Sequence, residues 1–219
     1  PQFMSSTKGM AALLAKSAAS TDHQPKVVLL DHQYTPANFS GANLKHHDKP
    51  RAEAMLAAAD KVGYFGRLGL VTHYQMGEME GGGYNDYCYN SRNRRGRYEE
   101  PEEESGTMGE VYDTHTSIKH WADDKGPGLG TIFLDEEDLI TDIEIGTDDP
   151  LEKQEEGYTG NAGMTIQYWY HYGAVILWPK NKHRTLLSAA AVPVKLEWLY
   201  YYLQNWENEE LQSRDYAKQ

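Results

Sequence analysis

The stretch TIQYWYHYGAVILW, residues 165–178, decides the fold of this chain. It is aromatic and β-branched, with no charged side chain, and has the composition of a strand rather than of a helix. Its length predicts two strands, or one long strand bent near Gly173. Alternation sends Tyr168, Tyr170 and Tyr172 to one face and Trp169 and His171 to the other. One reading of that pattern is an ordinary core strand. The other is a stacking surface, with His171 placed for proton transfer.

Three further segments carry the same signal. GEVYDTHTSIKHW (109–121) alternates cleanly, with Glu110, Tyr112 and Thr114 on one side and Val111, Asp113 and His115 on the other. KVVLLDHQY (26–34) and YFGRLGLVTHYQM (64–76) are β-branched and partly alternating. Helices are expected at three places. Residues 8–18 set Met10, Leu13, Leu14 and Ser17 at helical spacing. RAEAMLAAADKVG follows Pro50 and ends on Gly63, the punctuation of a short helix. Residues 194–217 set Leu196, Leu199, Leu203 and Trp206 on one face, with Trp198 and Tyr202 beside them. The expectation is a single α+β domain over 1–219: a body at 26–187 built on a mostly antiparallel twisted sheet, a few helices, and a C-terminal amphipathic helix.

Two segments stand apart by composition. Residues 78–106 exceed ordinary loop length, and within them Arg92, Arg94, Arg95 and Arg97 alternate with tyrosine and asparagine before five glutamates at 99–104. Arginine forks bind phosphate and stack on bases, and tyrosine adds stacking area, so one reading is an RNA-binding loop. A polyampholyte without a target is the other. Residues 135–156 hold eleven acids and one lysine, −10 of the net −12, which leaves the rest of the chain nearly neutral. That tract alternates apolar and acidic residues, so it is expected to lie along the body and keep it soluble.

Composition excludes several classes. The chain is 39% hydrophobic with no apolar run of membrane-spanning length. A lone Cys88 predicts no internal disulfide and no disulfide-linked partner. The N-terminal alanine-leucine patch is too short and broken for a signal peptide, so the cytoplasm is the default address and secretion without a signal stays open. No phosphate-binding loop, dinucleotide fingerprint, HExxH or paired CxxC occurs, and the oligomeric state is left open.

The segments LLDHQYTPANFSGANLKHHD (29–48), GEVYDTHTSIKHWADDKG (109–126) and EEGYTGNAGMTIQYWYHYGAVILWP (155–179) resemble the C-terminal region of large fungal and bacterial 2-oxoglutarate/Fe(II) oxygenases of the prolyl-4-hydroxylase type. The similarity runs from about Lys26 to Leu187 and is sharpest at GYTGNAGMT and AVILWP. Tyr172-Gly173 stand where the family has Arg-Ala. The family's iron-binding His-x-Asp and distal His lie upstream, in a separate double-stranded β-helix domain outside this sequence. The resemblance therefore implies a fold relationship to an accessory region and supplies no catalytic residues. An iron site built anew would use His46, Asp48 and His183, although Asp48 reads more simply as an N-cap-like residue before a helix.

Three functions fit these features. One is a non-catalytic partner-binding module. Another is a 2-oxoglutarate/Fe(II) dioxygenase, the only one of the three that needs a cofactor or metal. The third, placed first among the enzymatic readings, is an RNA-directed hydrolase cleaving an N-glycosidic bond in ribosomal RNA; small mushroom proteins that inactivate ribosomes are a precedent in kind. There Arg92, Arg94, Arg95 and Arg97 meet phosphate, Tyr168, Trp169 and Tyr170 hold a flipped base, and Glu110, Asp113 and His171 supply the chemistry if 109–121 neighbours 165–178.

Overall fold

A computed structural model describes residues 25–81, 106–122, 126–141, 143–157 and 163–216, with side chains as far as Trp206. The expected helix at 8–18, the interior of the 78–106 loop and its four arginines lie outside the described residues.

The protein is an α+β fold. Strands β1 (Lys26–Gln33), β2 (Tyr64–Glu80), β3 (Thr107–Trp121), β4 (Ile132–Leu134), β5 (Leu139–Ile140), β6 (Glu152–Glu156) and β7 (Thr165–Pro179) form one sheet. Their order is β4-β3-β2-β7-β1-β5, with β6 also paired to β7. The pairings β1–β7, β3–β4 and β6–β7 are antiparallel. β1–β5 is parallel, so the sheet is mixed rather than wholly antiparallel. Helices are α1 (Asp48–Lys61), α2 (His183–Ala189) and α3 (Val192–Tyr216).

β7 is a single strand. Its register with β1 shifts between Leu29 and Gln33, close to the expected bend. Gly173 is required there, because a Cβ would stand 2.9 Å from the Tyr34 ring. β2 runs four residues further than its sequence pattern, and β2, not β7, is the neighbour of β3. The condition on which Glu110 and Asp113 would meet the aromatic strip, that 109–121 neighbours 165–178, is not fulfilled: one strand lies between them. Local alternation cannot reveal this, because it carries no information about which strand pairs with which.

By contacts the chain forms two compact units. One comprises residues up to Thr72, Thr116–Ile145 and the chain from His171 on. Here β7 is buried continuously from His171 to Trp178, and β1 from Val27 to Leu30, as in strands covered on both faces. On one face Val28, Leu30, Leu68, Leu70, Val175 and Leu177 pack with the Ala52, Met55, Leu56 and Ala59 stripe of α1. Gly66 makes room for this helix, since its Cβ would stand 2.7 Å from Leu56. On the other face Phe65, Arg67 and Trp178 meet the start of α2 and Trp198 of α3.

The other unit comprises His73–His115 and Gly146–Tyr170. It is thin: every residue of β6 and Glu110–Thr114 of β3 are exposed. Of the acidic tract, Leu139–Ile140 pair with β1 in the first unit, while Glu152–Glu156 pair with β7 in this one.

Candidate functional site

An open cleft of about 1070 Å³ lies in the first unit, with Tyr64, Phe65, Arg67, Lys180, Glu197 and Tyr201 on its lining. Arg67 stands in the middle of the apolar run YFGRLGLV, and only 6% of it is exposed. Its guanidinium lies 5.3 Å from the ring centre of Trp198, 5.7 Å from Phe65 and 5.9 Å from Tyr201. These are cation–π distances, and such contacts strengthen where water is excluded. Nε donates to the Pro127 carbonyl at 3.2 Å and one terminal nitrogen to the Gly66 carbonyl at 2.9 Å. Burial pushes the guanidinium's pKa down, against the pull of Tyr201 and Tyr202. A guanidinium stays charged even so. No carboxylate pairs with Arg67 among the described residues.

The segment GPGLG (126–130) builds this arrangement through its carbonyls. Gly126 has φ +103°, and the Tyr201 ring fills the space where its Cβ would be. Pro127 then offers its carbonyl to Arg67, Gly128 accepts from Trp198 Nε1 at 2.7 Å, and Gly130 accepts from Trp121 Nε1 at 2.7 Å. At the rim, Lys180 pairs with Asp60 at 2.7 Å and lies over Phe65. Glu197 is exposed on the wall.

His183 sits behind the arginine, packed 4.3 Å from Trp198 and 4.7 Å from Phe65 by ring centres. Its Nδ1 accepts from Trp178 Nε1 at 3.1 Å, which leaves the proton of the neutral ring on Nε2. That nitrogen is buried without a hydrogen-bond partner, and the aromatic rings around His183 are its packing environment. Burial, then the nearby Arg67 charge, depresses the His183 pKa from 6.5 to about 4. The unfolded chain therefore takes up this proton first. The contribution to stability is complete above pH 6.5 and drains as pH falls toward 4. At about 1.4 kcal/mol per pKa unit, the loss over that span is on the order of 3 kcal/mol. His183→Gln keeps an acceptor for Trp178 and removes the titration. Urea unfolding of both proteins between pH 7 and 4.5 should show a shallower acid decline for the variant; parallel declines would refute the assignment.

The residues singled out by sequence fall in several places. His171 is 5% exposed; its Nδ1 is 2.9 Å from Thr72 Oγ1, and its backbone carbonyl accepts from the Tyr34 amide. It is an interior strand residue of the first unit. Tyr170 is 3% exposed, and its hydroxyl donates to Gln75 at 3.4 Å. Tyr168 contacts Tyr170 edge-on, and Trp169 lies 5.3 Å from Tyr74, which stands 4.8 Å from His115. The two faces expected from alternation are thus kept in the second unit. Tyr74 donates to Gln167 at 3.1 Å, and Gln167 donates to Glu156 at 3.1 Å. Burial, then Asp113, then Glu156 push the Tyr74 hydroxyl up, which places Asp113 near this aromatic group. Glu110 is exposed, within electrostatic reach of Tyr112.

The alternative iron residues do not converge. Asp48 is fully buried and accepts four hydrogen bonds, from the Asp31 and His32 amides, His32 Nδ1 and the Tyr34 hydroxyl. It is not the helix cap that the sequence suggested: His47 precedes the helix, and Asp48 fastens α1 to the end of β1. His183 belongs to the aromatic cluster, and His46 is set in a turn with φ 37°. No group of three or more His, Cys, Asp or Glu is gathered for a metal among the described residues.

Sequence reasoning missed Arg67, Lys180, Glu197 and Tyr201. The available signal was a charged residue inside an apolar strand, since buried arginine requires special surroundings. GPGLG was the other, a glycine-rich turn between strands. No protein-family model, curated protein or solved structure matches the chain. No helix among the described residues is long and apolar enough to cross a membrane.

Proposed function

We propose that the chain is an RNA-directed hydrolase of the ribosomal RNA N-glycosylase kind, working in the Arg67 cleft. The observation that carries this reading is a buried cation at the cleft, held by aromatic rings and carbonyls, with no carboxylate partner among the described residues. Leaving such a charge without an anion is costly, and an anionic or electron-rich ligand offsets the cost. A nucleotide supplies both a planar face for the aromatic wall and acceptors for the guanidinium.

The chemistry follows from two charges of opposite sign. Arg67 stabilises the base as the C1′–N bond breaks and the electron pair moves onto it. Glu197, the carboxylate on the wall, stabilises the oxocarbenium-like sugar. Water adds its oxygen to C1′, and its proton ends on the departing base. The catalytic positions become Arg67 and Glu197 in place of Glu110, Asp113 and His171.

The test measures nucleoside-monophosphate binding by tryptophan fluorescence and scission of aniline-treated ribosomal RNA after incubation with ribosomes. Arg67→Met should lose binding at least tenfold and yield no fragment. Glu197→Gln should bind normally and yield no fragment. Binding by the native protein without a fragment from any ribosome would leave a nucleotide-binding module and remove the hydrolase. Absence of both would remove the reading entirely.

A further inference from the structure

Where β1 ends and α1 begins, a second group of side chains stands outside the lining of the Arg67 cleft. His32 Nδ1 is 3.0 Å from Asp48 Oδ2; the carboxylate is 0% exposed and the His32 side chain 33%. An acceptor on that side keeps the proton of the neutral ring on Nδ1 and leaves the lone pair on Nε2. Among the described residues Nε2 has no hydrogen-bond partner. The His32 amide also donates to Asp48, at 3.2 Å, so backbone and ring are held from the same carboxylate. His46 stands beside this ring, with centres 5.8 Å apart and planes tilted by 38°. It is exposed, and it is the one described non-glycine residue with a positive φ, 37°. Such backbone is strained outside glycine and gathers at functional sites. The Asp48 network does not call for it, because His46 gives that network no hydrogen bond.

We propose that His32 and His46 together bind a divalent transition ion of the zinc and copper class, with Asp48 as the carboxylate behind His32. Metal–imidazole bonds of about 2.0–2.1 Å put two ring centres on one ion roughly 5.2 Å apart at the tetrahedral angle and roughly 6.4 Å apart when opposite. The observed 5.8 Å lies between these. Imidazole nitrogen selects zinc, copper or nickel, whereas magnesium and calcium take oxygen ligands. A carboxylate on the far nitrogen of a ligating histidine fixes the ring and raises its basicity. Asp48 already accepts four hydrogen bonds, so it orients a ligand and is not one itself. Two protein nitrogens leave the other positions to water, which makes the ion exchangeable and open to an incoming ligand. That pair is one residue short of the three-residue gathering that the described residues lack.

Calorimetric titration of the full chain with zinc chloride at neutral pH, in a Cys88→Ser background, tests the assignment. One zinc per chain is expected, undisturbed by excess magnesium. His46→Gln and His32→Gln should each weaken it at least tenfold, and His47→Gln should leave it unchanged. His46 is exposed, so its variant keeps the fold, and circular dichroism verifies this for both. Asp48→Asn should weaken zinc about tenfold or more, the usual effect of losing such a carboxylate. In the copper form, electron paramagnetic resonance should show two coupled imidazole nitrogens in the native chain and fewer in either histidine variant. No heat of binding at millimolar zinc overturns the site. So does zinc binding, or a two-nitrogen copper spectrum, that survives His46→Gln. Native affinity in Asp48→Asn would remove the carboxylate from the arrangement.

Discussion

Asp48→Ala should lower the stability of the protein by about 3–5 kcal/mol, the range for removing one side of a buried charged network. The carboxylate is fully buried, and the substitution strands two backbone amides, a histidine nitrogen and the Tyr34 hydroxyl at once. Each buried donor left without an acceptor costs about 1–3 kcal/mol, and backbone donors cannot swing away to find water. The Tyr34 hydroxyl is the hub of this group, because it donates to Asp48 at 2.7 Å and accepts from the Lys45 amide at 2.9 Å. Urea unfolding measures the loss. Asp48→Asn retains an acceptor and should lose less than the alanine variant. In a double-mutant cycle Asp48→Ala and Tyr34→Phe should be strongly non-additive, since they remove the same bond. Additive losses, or an alanine variant within 1 kcal/mol of the native protein, would contradict the network.

Trp198→Ala should cost a similar amount, about 3–5 kcal/mol for deletion of a buried aromatic side chain. Three consequences add to the cavity. The Gly128 carbonyl loses its donor, Arg67 loses the nearest of its three rings, and His183 loses its closest aromatic neighbour. Trp198 is also the buried anchor of a helix whose other large apolar residues are mostly exposed. Amide hydrogen exchange across α3 should therefore rise more than the global loss alone predicts. Trp198→Phe keeps a ring for Arg67 but not the indole donor, and should retain most of the stability. If α3 exchanges no faster in the alanine variant, the helix is held by something other than this residue.

The expected elements are nearly all present among the described residues because hydrophobic period is a local property. The β-branched runs at 26–33 and 64–80 and the aromatic run at 165–179 are strands, and Gly63, with φ +78°, ends α1 where the sequence punctuates it. The site was far less legible. Arg67 becomes a candidate only when Trp198, 131 positions along the chain, and the Pro127 carbonyl close around it. Histidines 171 and 183 read alike in sequence, each next to or within an apolar strand. One lies beside Thr72 in the sheet, and the other is held neutral among tryptophans.

By itself the sequence determined the α+β class, the strand faces, the acidic tract and the short helix closed by Gly63, since each depends on neighbours a few residues apart. Tertiary structure alone decided that β2 separates β3 from β7, that Asp48 binds a strand end instead of capping a helix, and that α3 turns its tryptophan inward and its leucines out. Those outcomes rest on contacts between distant segments. A periodic pattern states that a face is apolar, but only the packed chain determines which partner covers it.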